Sequence, residues 1–165
     1  MKTLLLIRHA KSSWDTPSQK DFDRPLNDRG HHDAAAMAER LLDKGIEIDA
    51  FISSTANRAL STAKYFAKAY NRSEHSIIKA SELYEAQFDV FFDVISKLDD
   101  AFNSVAIFAH NPGITTFANF LTKTTIDNMP TCGIFAVHAD IKKWKQFEAA
   151  TRSFWFVDYP KAGQE

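Results

Sequence analysis

The chain has 165 residues, 45% of them hydrophobic and 25% charged, with a formal net charge of -1. That length supports one sizeable core and is short for two, so residues 1–165 are expected to form a single domain. The near-neutral balance excludes a protein held to nucleic acid by a general basic surface and leaves room for a local anion pocket. Cys132 stands alone and cannot close an internal disulfide. The apolar run at the start is too short for a signal peptide or a membrane span, so a cytoplasmic protein with no membrane or nucleic-acid partner is expected.

Strands and helices alternate along the chain. Thr3 to Ile7 reads as a continuous buried strand. Asp28 to Lys44 reads as a helix with Ala34, Ala38, Leu41 and Leu42 on one face and Gly45 as its stop signal. Asp49 to Ser53 is the next strand. Thr55 to Tyr70 is helical, with Ala59, Ala63, Phe66 and Tyr70 at helical spacing, and Ser76 to Ala80 is a short strand. Phe88, Phe91, Phe92, Ile95 and Leu98 mark a third helix. Ser104 to Ala109 is the clearest strand, and Pro112 to Leu121 the fourth helix. Gly133 to Ala139 and Ser153 to Val157 are late strands joined by a polar segment. The pattern predicts an α/β fold, a three-layer α/β/α sandwich around a mostly parallel sheet with an antiparallel edge. Between the first strand and the first helix, residues 11 to 28 carry Pro17, Pro25 and several Ser and Asp, so they are expected to be a surface loop beside whatever the first strand presents.

Chemistry gathers at the strand exits. Arg8-His9 follows the first strand, and His110 follows the run Val105-Ala106-Ile107-Phe108-Ala109. In an open α/β sheet the crevice beyond the carboxyl ends of the strands can bring two such side chains together. A neutral imidazole is a competent nucleophile toward phosphorus, and a neighbouring guanidinium favours that form by opposing a second positive charge. At the second exit, Ser54 or Thr55 could cap the helix, placing Arg58 in its first turn, where the macrodipole disfavours a cation unless an anion is bound there too. At the third, Asn111 is expected as N-cap and Pro112 as first helical residue, so that free N–H groups face the same crevice. The combination reads as an anion clamp.

These blocks resemble the histidine phosphatase superfamily, also called phosphoglycerate mutase-like. Arg8-His9-Ala10 is similar to its Arg-His-Gly signature, the stretch from Ser54 to Ala63 with Arg58 and Thr62 to its second arginine motif, and His110 to its second catalytic histidine. Arg24-Pro25-Leu26-Asn27-Asp28-Arg29-Gly30 and His110-Asn111-Pro112-Gly113 look like the corresponding blocks of the short SixA-type phosphohistidine phosphatases. The resemblance implies a phosphoglycerate mutase-like fold and a metal-independent phosphatase that needs no cofactor. It implies His9 as the nucleophile that becomes phosphorylated, with Arg8, Arg24, Arg58 and His110 binding the phosphoryl oxygens. For the general acid it offers Glu85, preferred over Glu82. The implied partner is a phosphorylated protein, a histidine phosphotransfer protein among them, or a small phosphorylated substrate.

Ala10 departs from the usual Gly and adds a Cβ near the phosphate loop, a change expected to be tolerated. Asn111 stands where the acid-phosphatase branch has an acidic residue, which disfavours that branch. Ser12, Ser13 and Trp14 resemble the stretch after the mutase signature, whereas Lys11 and Asp15 do not. A small-molecule phosphomonoesterase or a phosphoglycerate mutase-like enzyme is therefore the alternative activity, and a non-catalytic phosphate-binding module the alternative of another class. His31, His32 and Asp33 are adjacent on a helix, do not face one another, and are read as surface rather than metal ligands, as are His75 and His138.

Overall fold

The computed structural model describes residues 1–162. Its strands are β1 (Lys2–Arg8), β2 (Ala50–Ser53), β3 (Ile78–Lys79), β4 (Ser104–Ala109), β5 (Ile134–Ala139) and β6 (Arg152–Asp158), and its α-helices are α1 (Asp28–Asp43), α2 (Asn57–Ala69), α3 (Phe88–Ser96) and α4 (Gly113–Leu121). All six strands form one sheet in the order β3-β2-β4-β1-β5-β6. The pairs β1/β4, β2/β4 and β2/β3 are parallel, and β1/β5 and β5/β6 antiparallel.

Alternation along the central strands divides the core. Leu4 and Leu6 of β1, with Val105, Ile107 and Ala109 of β4, pack on the α3/α4 side, where Phe91, Ile95, Phe117 and Trp144 are buried. Leu5 and Ile7, with Ala106 and Phe108, pack on the α1/α2 side against Met37, Leu41, Phe66 and Ala67. A strand buried on both faces has no polar register to mark its sides, which is why β1 and β4 read as unbroken apolar runs. The three-layer α/β/α arrangement follows, with the mostly parallel sheet and antiparallel edge expected from the sequence.

Local details differ from the expectations. Neither Ser54 nor Thr55 caps α2; Ala56 is its N-cap, while the Ser54 hydroxyl accepts from the Ala56 N–H at 3.2 Å. Asn111 is not the cap of α4, because Pro112 holds that position and Gly113 begins the helix. The first turn there is set by packing: a Cβ on Gly113 would collide with the Ala86 carbonyl oxygen. Residues 11 to 28 are also more ordered than a bare surface loop, with an antiparallel bridge between Ser12 and Leu26 and a 3₁₀ turn over Asp21–Asp23. Of the residues read as surface, Asp33 is buried and His138 is half-buried beside Trp155.

Candidate active site

The register of β1 and β4 pairs Arg8 with Ala109, so the next residues, His9 and His110, leave adjacent strands side by side. The helix that follows β1 covers one face of the sheet and the helix that follows β4 covers the other. This is the switch point at which an open sheet forms a crevice. The imidazole centroids are 5.1 Å apart, and both rings are more than nine-tenths buried. His9 Nδ1 lies 2.7 Å from the Ala10 carbonyl oxygen, which can only accept. That fixes the proton on Nδ1 and leaves the Nε2 lone pair free.

His110 is held through its other ring nitrogen. Its Nε2 lies 2.8 Å from the Ser54 hydroxyl, whose lone pair already receives the Ala56 N–H. The hydroxyl keeps a second lone pair and its own proton, so it pairs with Nε2 as donor or acceptor according to the ring tautomer. Among the described residues, His110 Nδ1 and Arg8 Nε are buried side-chain polar atoms without a hydrogen-bond partner. Both residues line the cleft that also holds His9.

Burial is the first cause that pushes His9 down to about 4, assisted by Arg58, Arg8 and Arg24 and opposed by the Ala10 carbonyl. Burial again comes first in pushing His110 down to about 3, followed by His9 and Arg58. Both rings are thus neutral at neutral pH. The unfolded chain binds protons at these histidines near 6.5, so the stability present above that value falls as pH drops from about 6.5 through about 4 and about 3. Ring NMR signals of both histidines are expected to keep their neutral-form positions from pH 8 to pH 5; titration of either near 6.5 would contradict the buried geometry.

Arg8, His9, Arg24, Arg58 and His110 all line one cleft of about 410 Å³. Arg8 Nη1 donates to the Met129 carbonyl at 2.9 Å. Arg24 is buried rather than a solvated loop residue, with Nε on the Ser13 carbonyl at 3.0 Å, Nη2 on the Ser12 hydroxyl, and Trp14 stacked 3.1 Å from its guanidinium. Thr62 joins two of the sequence blocks: its hydroxyl accepts from the Ala10 N–H at 2.9 Å and donates to the Arg58 carbonyl at 2.8 Å. Ala10 is fully buried and is not among the residues with positive φ, so its Cβ is accommodated where Gly was expected.

A second groove of about 620 Å³ shares Arg58, His110 and Asn111 with the cleft and continues past Tyr84 and Glu85 to Phe88. Glu85 is exposed on that groove, whereas Glu82 is not among its lining residues. No group of three or more His, Cys, Asp or Glu among the described residues is placed to hold a metal ion, and no helix there is long and apolar enough to cross a membrane. The residues that sequence reasoning missed are Asp21, Tyr84 and Ser54 in its role beside His110. Asp21 meets Arg58 across 37 positions and Tyr84 across 63. No local spacing could have revealed either contact.

Comparison with known proteins decides the family, since residues 4–102 match the histidine phosphatase superfamily (branch 1). The chain belongs to the histidine phosphatase superfamily. An uncharacterized chloroplastic protein of Arabidopsis thaliana is 29% identical over 153 residues, covering 88% of this histidine phosphatase chain and 70% of its own length. A 2,3-bisphosphoglycerate-dependent phosphoglycerate mutase of Bartonella tribocorum is 32% identical over 91 residues, covering 53% of this chain and 43% of the mutase. The chain therefore matches less than half the length of that mutase. The crystal structure of a SixA from Agrobacterium tumefaciens, described as a phosphohistidine phosphatase by resemblance, superposes with a TM-score of 0.81 at 24% identity over 96% of this chain and 98% of the other. The phosphoglycerate mutase-like fold of this histidine phosphatase is the SixA fold.

Proposed function

We propose that this protein is a metal-independent phosphatase that removes a phosphoryl group from protein phosphohistidine through a phosphohistidine intermediate on His9. The observation that carries the reading is the neutral His9 ring, with Nε2 free and three guanidinium groups around it. Nε2 attacks phosphorus as the bond to the leaving nitrogen breaks, and the electron pair leaves with the substrate imidazole. The substrate ring departs neutral because its other nitrogen carries a proton; water then attacks phosphorus, its proton goes to the released phosphate or to solvent, and His9 is freed with its Nδ1 proton still donated to the Ala10 carbonyl. Charge on the equatorial oxygens is met by fixed donors from Arg8, Arg24, Arg58 and His110. Cys132, a buried free thiol, fits the cytoplasmic location we propose with this activity.

The leaving group separates phosphohistidine from the alternatives. Among the carboxylates lining the groove, Asp21 is held ionised near 2, first by the Tyr84 hydroxyl and then by Arg24 and Arg58. It cannot supply a proton. Glu85 is the remaining candidate, exposed at the groove wall. An alkoxide leaving group needs general-acid help of about 10²–10⁴-fold, whereas imidazole departs from a phosphoramidate far more readily. The name of the Agrobacterium protein points the same way, and the mutase match keeps a phosphoglycerate mutase-like or small-molecule activity as the second reading.

The test is a matched panel of phosphohistidine peptide, phosphoserine and phosphotyrosine peptides, a sugar phosphate and phosphoglycerate, run with wild type and Glu85→Gln. Phosphohistidine is expected to have the highest kcat/KM, and Glu85→Gln to leave it within a few-fold while lowering alkyl phosphate hydrolysis far more. Preference for phosphoglycerate, with a large loss in Glu85→Gln, would favour the second reading. Binding of every substrate without release of phosphate would identify a phosphate-binding module.

A further inference from the structure

Asp21 lies in the 3₁₀ turn of the segment between β1 and α1, with its side chain 48% exposed. Its Oδ1 accepts from Arg24 Nη1 at 2.8 Å, and its Oδ2 accepts from Arg58 Nη2 at 3.0 Å and from the Tyr84 hydroxyl at 2.5 Å. Its main-chain carbonyl accepts from Arg58 Nη1 at 2.7 Å. One residue thus engages both terminal nitrogens of Arg58 and ties together the β1–α1 segment, α2 and the turn before α3. Among the described residues, Asp21 is the carboxylate that forms ion pairs with these arginines.

We propose that Asp21 is a positioning residue, whose carboxylate and carbonyl hold the Arg58 guanidinium in the orientation that leaves its remaining N–H groups for a phosphoryl group on His9, with Tyr84 locking the carboxylate in turn. The inference rests on the reading of Arg58 as a phosphoryl ligand. A guanidinium sits on a flexible stem, and fixing it in the free enzyme removes that ordering cost from the transition state. Arg58 is also buried to 7% exposure in the first turn of α2, where the helix end disfavours a cation. The Asp21 carboxylate offsets both the burial and the dipole. Five N–H groups belong to each guanidinium, so the Asp21 contacts on Arg58 leave others for an incoming anion.

A carboxylate in this place could instead occupy the phosphate position and block it. The two roles give opposite signs. For positioning, Asp21→Ala and Asp21→Asn should lower kcat/KM on a small aryl phosphate by about 10–100-fold, the scale of a misplaced catalytic contact, and weaken inhibition by inorganic vanadate. Tyr84→Phe, which removes one hydroxyl, should cause a smaller loss in the same direction, and all three should keep wild-type circular dichroism.

The decisive measurement is the double-mutant cycle with Arg58→Ala. Because Asp21 acts through Arg58, Asp21→Ala added to Arg58→Ala should cost less than threefold more. An equal loss in both backgrounds, no loss in either, or a gain in activity with tighter vanadate inhibition would overturn the inference. Near-normal activity of Arg58→Ala itself would instead remove the phosphoryl clamp on which the proposed function stands. Should Asp21→Ala not fold, the same cycle run with Tyr84→Phe gives the answer.

Discussion

His9→Ala is expected to lower turnover by at least about 10⁴-fold on every substrate, because the nucleophile and the rest of a catalytic unit fail together when one member is lost. The alternative acceptor on the same cleft is His110, and its ring is committed differently. Its Nε2 is bound to the Ser54 hydroxyl at 2.8 Å, so the nitrogen that corresponds to the free Nε2 of His9 is already engaged. Only His9 presents an unprotonated ring nitrogen with its other nitrogen anchored on a carbonyl. Rapid quench of wild type with a phosphorus-labelled aryl phosphate should trap label that is acid-labile and alkali-stable, and the label should be absent from His9→Ala. Label on Ser, Cys or Asp, or near-normal turnover by the variant, would place the chemistry elsewhere. The fold should survive the substitution, since His9 is a wall of the cleft and contributes little to either apolar cluster.

The central features of this arrangement were legible in the sequence because they follow from local pattern. A buried parallel strand reads as an apolar run, and a polar residue at its carboxyl end stands out against it, as His9 and His110 do after β1 and β4. Arg58 was marked by its place in the first turn of a helix. The caps were misread for a related reason: Ser54 and Asn111 have the side chains of N-caps, but tertiary partners claim both. Ser54 serves His110, while Asn111 donates to the Met129 carbonyl at 3.1 Å and accepts from the Thr115 hydroxyl at 2.6 Å. Intrinsic preference yields where a buried polar group needs that side chain more. Asp21 and Tyr84 were invisible because their significance lies wholly in contacts between distant segments, each looking like ordinary loop polarity until the chain folds back.

Arg58→Ala is expected to lower kcat/KM by about 10²–10³-fold, the usual consequence of losing one fixed donor to developing charge. Arg58 acts on the site in two ways, and the variant separates them. In the proposed mechanism it donates N–H groups to the oxygens of the transferring phosphoryl, so vanadate, which adopts the five-coordinate geometry, should inhibit the variant far less. As a fixed charge, it helps to keep His9 and His110 deprotonated, and its removal should move both upward from their depressed positions. The upward movement will be partial, because burial is the first cause of both depressions and remains in the variant. Arg58→Lys retains the charge but cannot hold the paired contact with the Asp21 carbonyl and carboxylate, so it should preserve the low values of the histidines while recovering little activity. Full recovery by lysine would mean that charge alone suffices and that the orientation of the guanidinium does no catalytic work. Equal loss in both variants, with the histidine titrations unmoved in lysine and raised in alanine, would assign the rate to the directed N–H donors.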